Sequence, residues 1–374
     1  MTGSAKAREP MLLTLAFAAL LGAVTYVSVE TEAVQDYVAY KLMWEWVLAG
    51  KIPWLQTHVL TPQFNMYPPL FQALALPFKL HPYLPKVMIS WAWVFSAGWL
   101  VRFHARSPSA TPLALAAMAS FLFLSPYFWL ESSVFGHFDV LIGVCMLGAV
   151  HSFRERREAH AGLWLAVGTL VKTFPVILFP LFLLNGRRIH WRFAGTFAAC
   201  MAVGYGVAYF VWGWEVFLPF RMMGQTESIL SIYSSMQNVF GVHLEQLSAW
   251  FILAILMSVY VAHWIWRIEL STAVLLASLG LLIFFRTGGI QYQSALFLVV
   301  PHWIITQPGG IPRSRSAVIA TWAYLGWFSV FDLIFYLTRG FSEGGYAMFW
   351  DYQGFIMFGL GSLAWVSLFR DRNP

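Results

Sequence analysis

Long apolar runs recur along the chain, separated by short polar stretches, and these runs set the fold class. A bilayer core of roughly 30 Å asks for about 20 apolar residues per helix, fewer where protein covers the helix ends. With that window the chain shows spans near 11–29, 84–103, 111–125, 138–153, 161–171, 174–185, 193–212, 247–266, 270–285, 292–306, 316–337 and 353–369, twelve in all. Pro175 and Pro180 interrupt the sixth, which predicts a broken or tilted helix there. The expectation is an all-α, polytopic integral membrane protein of about twelve transmembrane helices, in a single domain covering residues 1–374. No small-residue cleavage site follows the first span, so it reads as a retained signal-anchor.

Two connecting segments are long, residues 30–83 and 213–246. Tyr37, Tyr40, Leu42, Met43, Trp46 and Val47 in the first segment fall at helix-compatible spacing, as do Ile229, Leu230, Ile232, Tyr233 and Met236 in the second. The stretch from Leu70 to Leu80 is apolar but only 11 residues long, and Pro77, Lys79 and Pro82 close it. It predicts an interfacial or re-entrant helix that does not cross the membrane.

Composition agrees with the pattern. Only 11% of residues are charged and 59% are hydrophobic, against about 25% charged in a soluble domain. Mean hydropathy is +0.65. A net charge of +6 would suggest nucleic acid in a soluble protein, but here its distribution along the chain gives a different meaning. With the N-terminus in the cytoplasm, the short inside loops collect Arg102 and Arg106; Arg154, Arg156 and Arg157; Arg187, Arg188 and Arg192; Arg267; and Arg313 and Arg315. With Lys6, Arg8, Arg370 and Arg372 at the two ends, 15 of the 23 basic residues lie inside. Both termini are therefore expected in the cytoplasm, with the long segments on the outer face. No nucleic-acid partner is expected. Cys145 and Cys200 both sit in apolar runs, which offers neither a disulfide framework nor a zinc site.

The candidate chemistry collects on the outer side. The first long segment carries Glu30, Glu32, Asp36 and Glu45. Asp36 opens a helical stretch, so it is either a first-turn acid complementing the helix dipole or a general base at the membrane surface. Tyr67-Pro68-Pro69-Leu70 is a rigid helix start. Gly136-His137-Phe138-Asp139 places an imidazole and a carboxylate at a span mouth, where His137 can bind a phosphate or sugar hydroxyl and Asp139 can orient it. A structural role for the pair is the alternative. Lys172, in Leu170-Val171-Lys172-Thr173-Phe174-Pro175, either snorkels to the headgroups or holds a lipid phosphate.

Other outer basic residues are Lys41, Lys51, Lys79, Lys86, Arg221, Arg286 and Arg339, and together with Lys172 they ask for an anionic ligand. Arg286, with Gln291, Tyr292 and Gln293 close behind, is a second phosphate or sugar contact. Asp332 lies inside the eleventh span. No Walker loop, Gly-rich nucleotide fingerprint, nucleophile elbow or His-Glu-x-x-His motif occurs.

The order of these features resembles the GT-C class of membrane glycosyltransferases. The markers are Asp36 with the following helix up to Gly50-Lys51-Ile52-Pro53-Trp54, then Tyr67-Pro68-Pro69-Leu70, Gly136-His137-Phe138-Asp139, Leu170-Val171-Lys172-Thr173-Phe174-Pro175, and Gln291-Tyr292-Gln293. Within the class the chain looks most like the bacterial phosphatidylinositol-mannoside mannosyltransferases and the catalytic subunit of the first GPI mannosyltransferase. The resemblance implies an inverting transfer of a sugar, mannose above others, from a polyprenyl-phosphate donor to a lipid or glycan hydroxyl. It implies glycolipid biosynthesis at the outer face of a bacterial inner membrane, with membrane lipids as surroundings.

Carried over by position, Asp36 becomes the general base, Lys172 the donor-phosphate ligand, and Arg286 and His137 its helpers. Tyr67, Asp139, Gln291 and Glu32 become substrate contacts. Glu32 is also a rival base, because many relatives carry two acids close together there, whereas this chain has no Asp-x-Asp. No metal or other cofactor is expected. The competing class is a multi-pass transporter or lipid-linked-sugar flippase, which asks for paired charges deep in several spans. Asp332 stands well inside one.

Overall fold

In a computed structural model the description covers residues 3–32, 36–56, 66–107, 110–222, 228, 230–287, 289–307, 314–338 and 347–370. Ile229, Arg313, Arg339 and Arg372 lie outside the described residues, as do the side chains of Lys6, Arg8, Arg187 and Arg221. The chain runs α1 (Gly3–Glu30), α2 (Asp36–Leu48), α3 (Pro69–Gln72), α4 (Ala75–Leu80), α5 (Leu84–Ala105), α6 (Pro112–Leu124), α7 (Pro126–Phe128), α8 (Asp139–Arg154) and α9 (Glu158–Val171). It continues through α10 (Phe179–Leu183), α11 (Trp191–Trp212), α12 (Leu218–Met222), α13 (Ile232–Phe240), α14 (Ser248–Trp266), α15 (Leu270–Phe284), α16 (Ser294–Thr306), α17 (Arg315–Leu337) and α18 (Ala347–Arg370). No strand occurs among the described residues.

All twelve apolar segments are helical, and the sixth is broken as its prolines require: a 3₁₀ turn over Phe174–Leu178 leads into α10. Six helical stretches of described residues are long and apolar enough to cross a membrane: Leu84–Ala105, Pro112–Val134, Trp191–Phe220, Glu245–Trp266, Arg315–Leu337 and Trp350–Arg370. The chain is a membrane protein.

α15 and α16 differ for a physical reason. Every residue of α15 from Leu270 to Ile283 is buried, as is α16 from Ser294 to Trp303. A helix apolar on all sides is one that protein surrounds, and a helix sheathed by its neighbours need not match bilayer thickness. α15 packs against α14, α16 and α18, and α16 packs on α8. A hydropathy window cannot separate such internal helices from lipid-facing ones.

The first long segment folds back on the bundle. Tyr37, Tyr40, Met43 and Trp44 form the buried stripe of α2 at helical spacing. Trp44 Nε1 donates to the Phe71 carbonyl (3.2 Å), Tyr37 Oη to the Pro82 carbonyl (2.9 Å) and Trp54 Nε1 to the Tyr67 carbonyl (2.9 Å). At four and six residues, α3 and α4 are far too short to cross at about 1.5 Å per residue.

Lys86, counted by sequence among the outer cations awaiting a ligand, is instead fully buried. Its Nζ donates to Thr31 Oγ1 (2.7 Å) and to the Thr31 carbonyl (3.2 Å), near the Tyr37 and Tyr83 rings. It ties α1 to α5 and is not available to an anion.

Gly136 joins the bundle to this cap. Its φ is +70°, and a Cβ there would stand 2.7 Å from Tyr37 Cδ2 and 3.0 Å from Lys86 Cγ. Gly186 has a similar φ of +63° with nothing within 4 Å. Gly136→Ala is therefore expected to cost about 2–4 kcal/mol, the left-handed penalty plus overpacking. Gly186→Ala should cost only about 1–2 kcal/mol. Thermal melting of the two variants in detergent checks the difference.

Candidate active site

Five chain segments meet at one end of the bundle. Asp36 is the first residue of α2, where its charge complements the helix dipole. The segment Pro126–Phe138 supplies two residues. It starts as α7, widens into a π-helical turn over Trp129–Val134, and ends at Gly136, whose left-handed backbone turns the chain into α8. A π-helical turn shifts side chains off the α register and marks functional sites often; here it carries Glu131. Asp139 opens α8, and Lys172, in extended backbone, stops α9. The 3₁₀ turn Ile290–Gln293 brings in Gln291 and Tyr292.

His137 is the hub. Its Nδ1 is hydrogen-bonded to Glu131 Oε2 at 2.6 Å. Its Nε2 stands 3.5 Å from Asp36 Oδ2, an ion-pair distance and not a formed hydrogen bond. Gln291 Nε2 donates to the same Asp36 oxygen at 3.3 Å. Beside this chain, Lys172 Nζ donates to Asp139 Oδ1 at 2.6 Å and lies 3.8 Å from the centre of the Tyr292 ring.

Aromatic rings wall the cluster. Phe138 sits edge-on to Tyr40 (5.3 Å) and Tyr67 (4.9 Å), and Tyr40 to Tyr67 (5.5 Å).

Exposure separates the roles. The side chains of Glu131, Asp139 and His137 are 1%, 2% and 5% exposed and Lys172 16%, whereas Asp36 is 44% exposed. Asp36 is the carboxylate of this cluster that a substrate can reach. Its buried inner side pushes the carboxyl up, but the adjacent His137, with Lys172 behind it, brings it below the ordinary carboxylate value. Burial works against the charged form of His137 too, yet Glu131 and Asp36 on either side hold it well above the ordinary imidazole value. Burial takes Lys172 below the usual amine value despite Asp139.

Asp36, His137, Asp139, Lys172, Gln291 and Tyr67 thus come together as the sequence order suggested, with one pairing exchanged. Asp139 does not orient His137; it binds Lys172, and Glu131 orients the imidazole. Nor does Lys172 snorkel to the surface, because Asp139 and Tyr292 hold it inward. Arg286 lies in the loop from α15 toward Gln291, half-buried, its carbonyl accepting from Ser228 Oγ at 3.2 Å. Glu32 is exposed beyond the end of α1 and joins no hydrogen bond or ion pair among the described residues.

Sequence reading missed Glu131 and the cation–ring role of Tyr292. The signal for Glu131 was present, an acid in an apolar run six residues before His137. Asp332 is fully buried in α17, near enough to Glu131 for the two carboxyls to interact. Among the described residues no group of three His, Cys, Asp or Glu side chains has the arrangement of a metal site.

The sequence profile of glycosyltransferase family 87 matches residues 64–301. The chain belongs to that family. No curated protein matches it closely enough to count as a relative. Family 87 enzymes are membrane glycosyltransferases of the GT-C type, which fits the helical bundle described above. The matched region holds Tyr67, His137, Asp139, Lys172, Arg286 and Gln291 but begins after Asp36. In this family 87 chain the fold, through the Asp36–His137 and Asp36–Gln291 contacts, draws the most exposed acid of the cluster into the matched region.

Proposed function

We propose that this family 87 glycosyltransferase is inverting and moves a sugar, mannose by resemblance, from a polyprenyl-phosphate donor to a lipid or glycan hydroxyl. The observation that carries the reading is an accessible Asp36 carboxylate backed by a buried imidazole, with a lysine ammonium in the same electrostatic cluster. Asp36 takes the acceptor hydroxyl proton as the acceptor oxygen bonds to the anomeric carbon. The bond from that carbon to the phosphate oxygen breaks on the opposite face, and polyprenyl phosphate leaves as an anion.

Lys172 has three N–H donors and spends one on Asp139, so the others can hold the departing phosphate. Such a leaving group is already a stabilised anion, and positioning plus positive charge supplies most of the acceleration. In this reading His137 acts through Asp36, and Tyr67, Gln291 and Arg286 serve as sugar or phosphate contacts. On the same reading the arginine-rich helix ends face the cytoplasm of a bacterial inner membrane and the site faces outward, in keeping with the bias of basic residues to inside loops.

The test incubates the purified protein with radiolabelled polyprenyl-phosphate-mannose and host lipid extract. A labelled lipid or glycan product with inverted anomeric configuration is expected. Failure to transfer from any of several polyprenyl-phosphate sugars overturns the reading.

Glu131→Gln reports on the hub. Removing the carboxylate takes away the largest influence that raises His137, so its imidazolium is lost at lower pH than in the parent. The alkaline limb of the pH–rate profile is expected to move to lower pH. A purely structural Glu131 would lower the rate at every pH and leave the limb in place.

A further inference from the structure

α8 and α9 connect the active site to a second polar region. Asp139 and Lys172 stand at one end of this pair; Arg154 and Glu158 stand at the other. At about 1.5 Å per residue, the 16 residues of α8 place the two regions about 24 Å apart. There the structure holds a cavity of about 600 Å³ lined by Arg154, Arg156, Arg188, Arg267, His190 and His263. Its size falls within the roughly 300–1,000 Å³ of small-molecule sites.

Charge in this cavity is not balanced. Its two carboxylates are both engaged: Glu158 pairs with His190 (2.9 Å), and Glu269 pairs with Arg154 (2.7 Å) while capping α15 through the Thr272 N–H (3.1 Å). Arg156, Arg188 and Arg267 have no carboxylate partner among the described residues. His263 is 5% exposed and lines the cavity, with its Nδ1 bonded to the Ile268 carbonyl and the Leu181 backbone also close to its ring.

The backbone adds a second observation. Arg156 and Arg267 have φ of 59° and 56°, two of the three non-glycine residues with positive φ among those described. Glycine is the unstrained choice in that conformation. Here arginine occupies it twice, on two loops that face one cavity, and strain of this kind concentrates at binding sites.

Apolar side chains flank the cavity residues. Ile189 and Trp191 on either side of His190, and Trp264, Ile265 and Trp266 between His263 and Arg267, are all exposed. Exposed tryptophan beside exposed aliphatic residues is the signature of the membrane–water interface. A basic pocket between helices at that level fits a lipid headgroup.

We propose that this cavity is a second binding site, for a phosphate-bearing anionic group supplied by a membrane lipid headgroup. Arg156, Arg188 and Arg267 provide the charge, and His263 a polar contact at the floor. The proposal does not depend on the transfer reaction, and binding is its readout.

The test follows thermal melting of the full-length protein in a neutral detergent. Three probes are titrated: dihexanoyl phosphatidic acid, dihexanoyl phosphatidylcholine and inorganic phosphate. The informative variant is Arg156→Gly/Arg267→Gly, because glycine relieves both left-handed positions while two cations are removed. It is expected to melt at or above the parent temperature. Saturable stabilisation by phosphatidic acid, absent with phosphatidylcholine and about tenfold or more weaker in affinity in the variant, supports the proposal. Equal saturable stabilisation by inorganic phosphate, lost in the variant, overturns the lipid as the source. No saturable shift with phosphatidic acid, or a shift unchanged in the variant, overturns the site. If the double variant fails to fold, Arg188→Gln, on an exposed side chain, reads the same titration.

Discussion

Asp36→Asn is expected to reduce sugar transfer by about 10²–10⁴-fold, the range a general base supplies, while the fold is kept. The substitution preserves shape, and an amide oxygen still accepts from Gln291, which donates to Asp36 in the parent. What it loses is the electron pair that takes the acceptor proton. At 44% exposure the side chain adds little to packing, so the melting temperature should stay near the parent value.

The parent pH profile has a defined sign. Asp36 is held below the ordinary carboxylate value, so it is ionised at neutral pH, and the acid limb of the profile falls as pH drops through that lowered value. Its contribution to stability follows the same course: fully present above the unfolded carboxylate value and lost as pH falls through the folded one. Initial rates against pH, with melting curves for both proteins, check this. Full activity in Asp36→Asn would sink the base assignment. Glu32→Gln should leave the rate within about twofold, because Glu32 is exposed and unbonded beyond α1; a collapse of activity there would pass the base role to Glu32.

The second large effect is expected at Lys172. Lys172→Met should lower transfer by about 10²–10³-fold, the typical loss when one group that stabilises developing negative charge is removed. It also leaves Asp139 buried without its cation, and breaking a buried pair by removing one partner costs about 3–5 kcal/mol. A fall in activity alone therefore cannot tell phosphate binding from unfolding.

The double variant Lys172→Met/Asp139→Asn separates them. Removing both charges eliminates the orphaned carboxylate, so most of the stability should return while transfer stays low. Recovery of activity together with stability would make Lys172 a structural partner of Asp139 and move the phosphate contact to Arg286. Melting temperature and single-turnover transfer on the same preparations read both quantities.

Much of this was legible along the chain. Helix positions followed from apolar runs, since burying backbone in lipid or in a protein core forces helical hydrogen bonding wherever a run is long enough. The breaks followed from Pro175 and Pro180, and the stop after Leu80 from the short run there and the prolines around it. Asp36, His137, Lys172 and Gln291 stood out because polar groups at span mouths are costly without partners. The partners themselves were less legible. Asp139 is two residues from His137 and invited that pairing, but α8 begins at Asp139 and turns it toward Lys172. Lys172 read equally well as a snorkelling lysine, since local sequence does not say which way a helix end faces.

The chain's own order of residues settled what depends on near neighbours: the helices, their ends, the membrane environment and the set of polar residues held near one face. Tertiary packing decided what depends on distant ones. Asp36 meets Gln291 across 255 positions, and His137 meets Asp36 just after the left-handed Gly136, which leaves room for Tyr37. Glu131 becomes the support of His137 through a π-helical turn that no hydropathy window registers. α15 and α16 read as apolar runs like the others, and packing puts them in the interior of the bundle. Hydrophobicity is a local, additive quantity, whereas a charge partner in a buried site is chosen by geometry once the helices have packed.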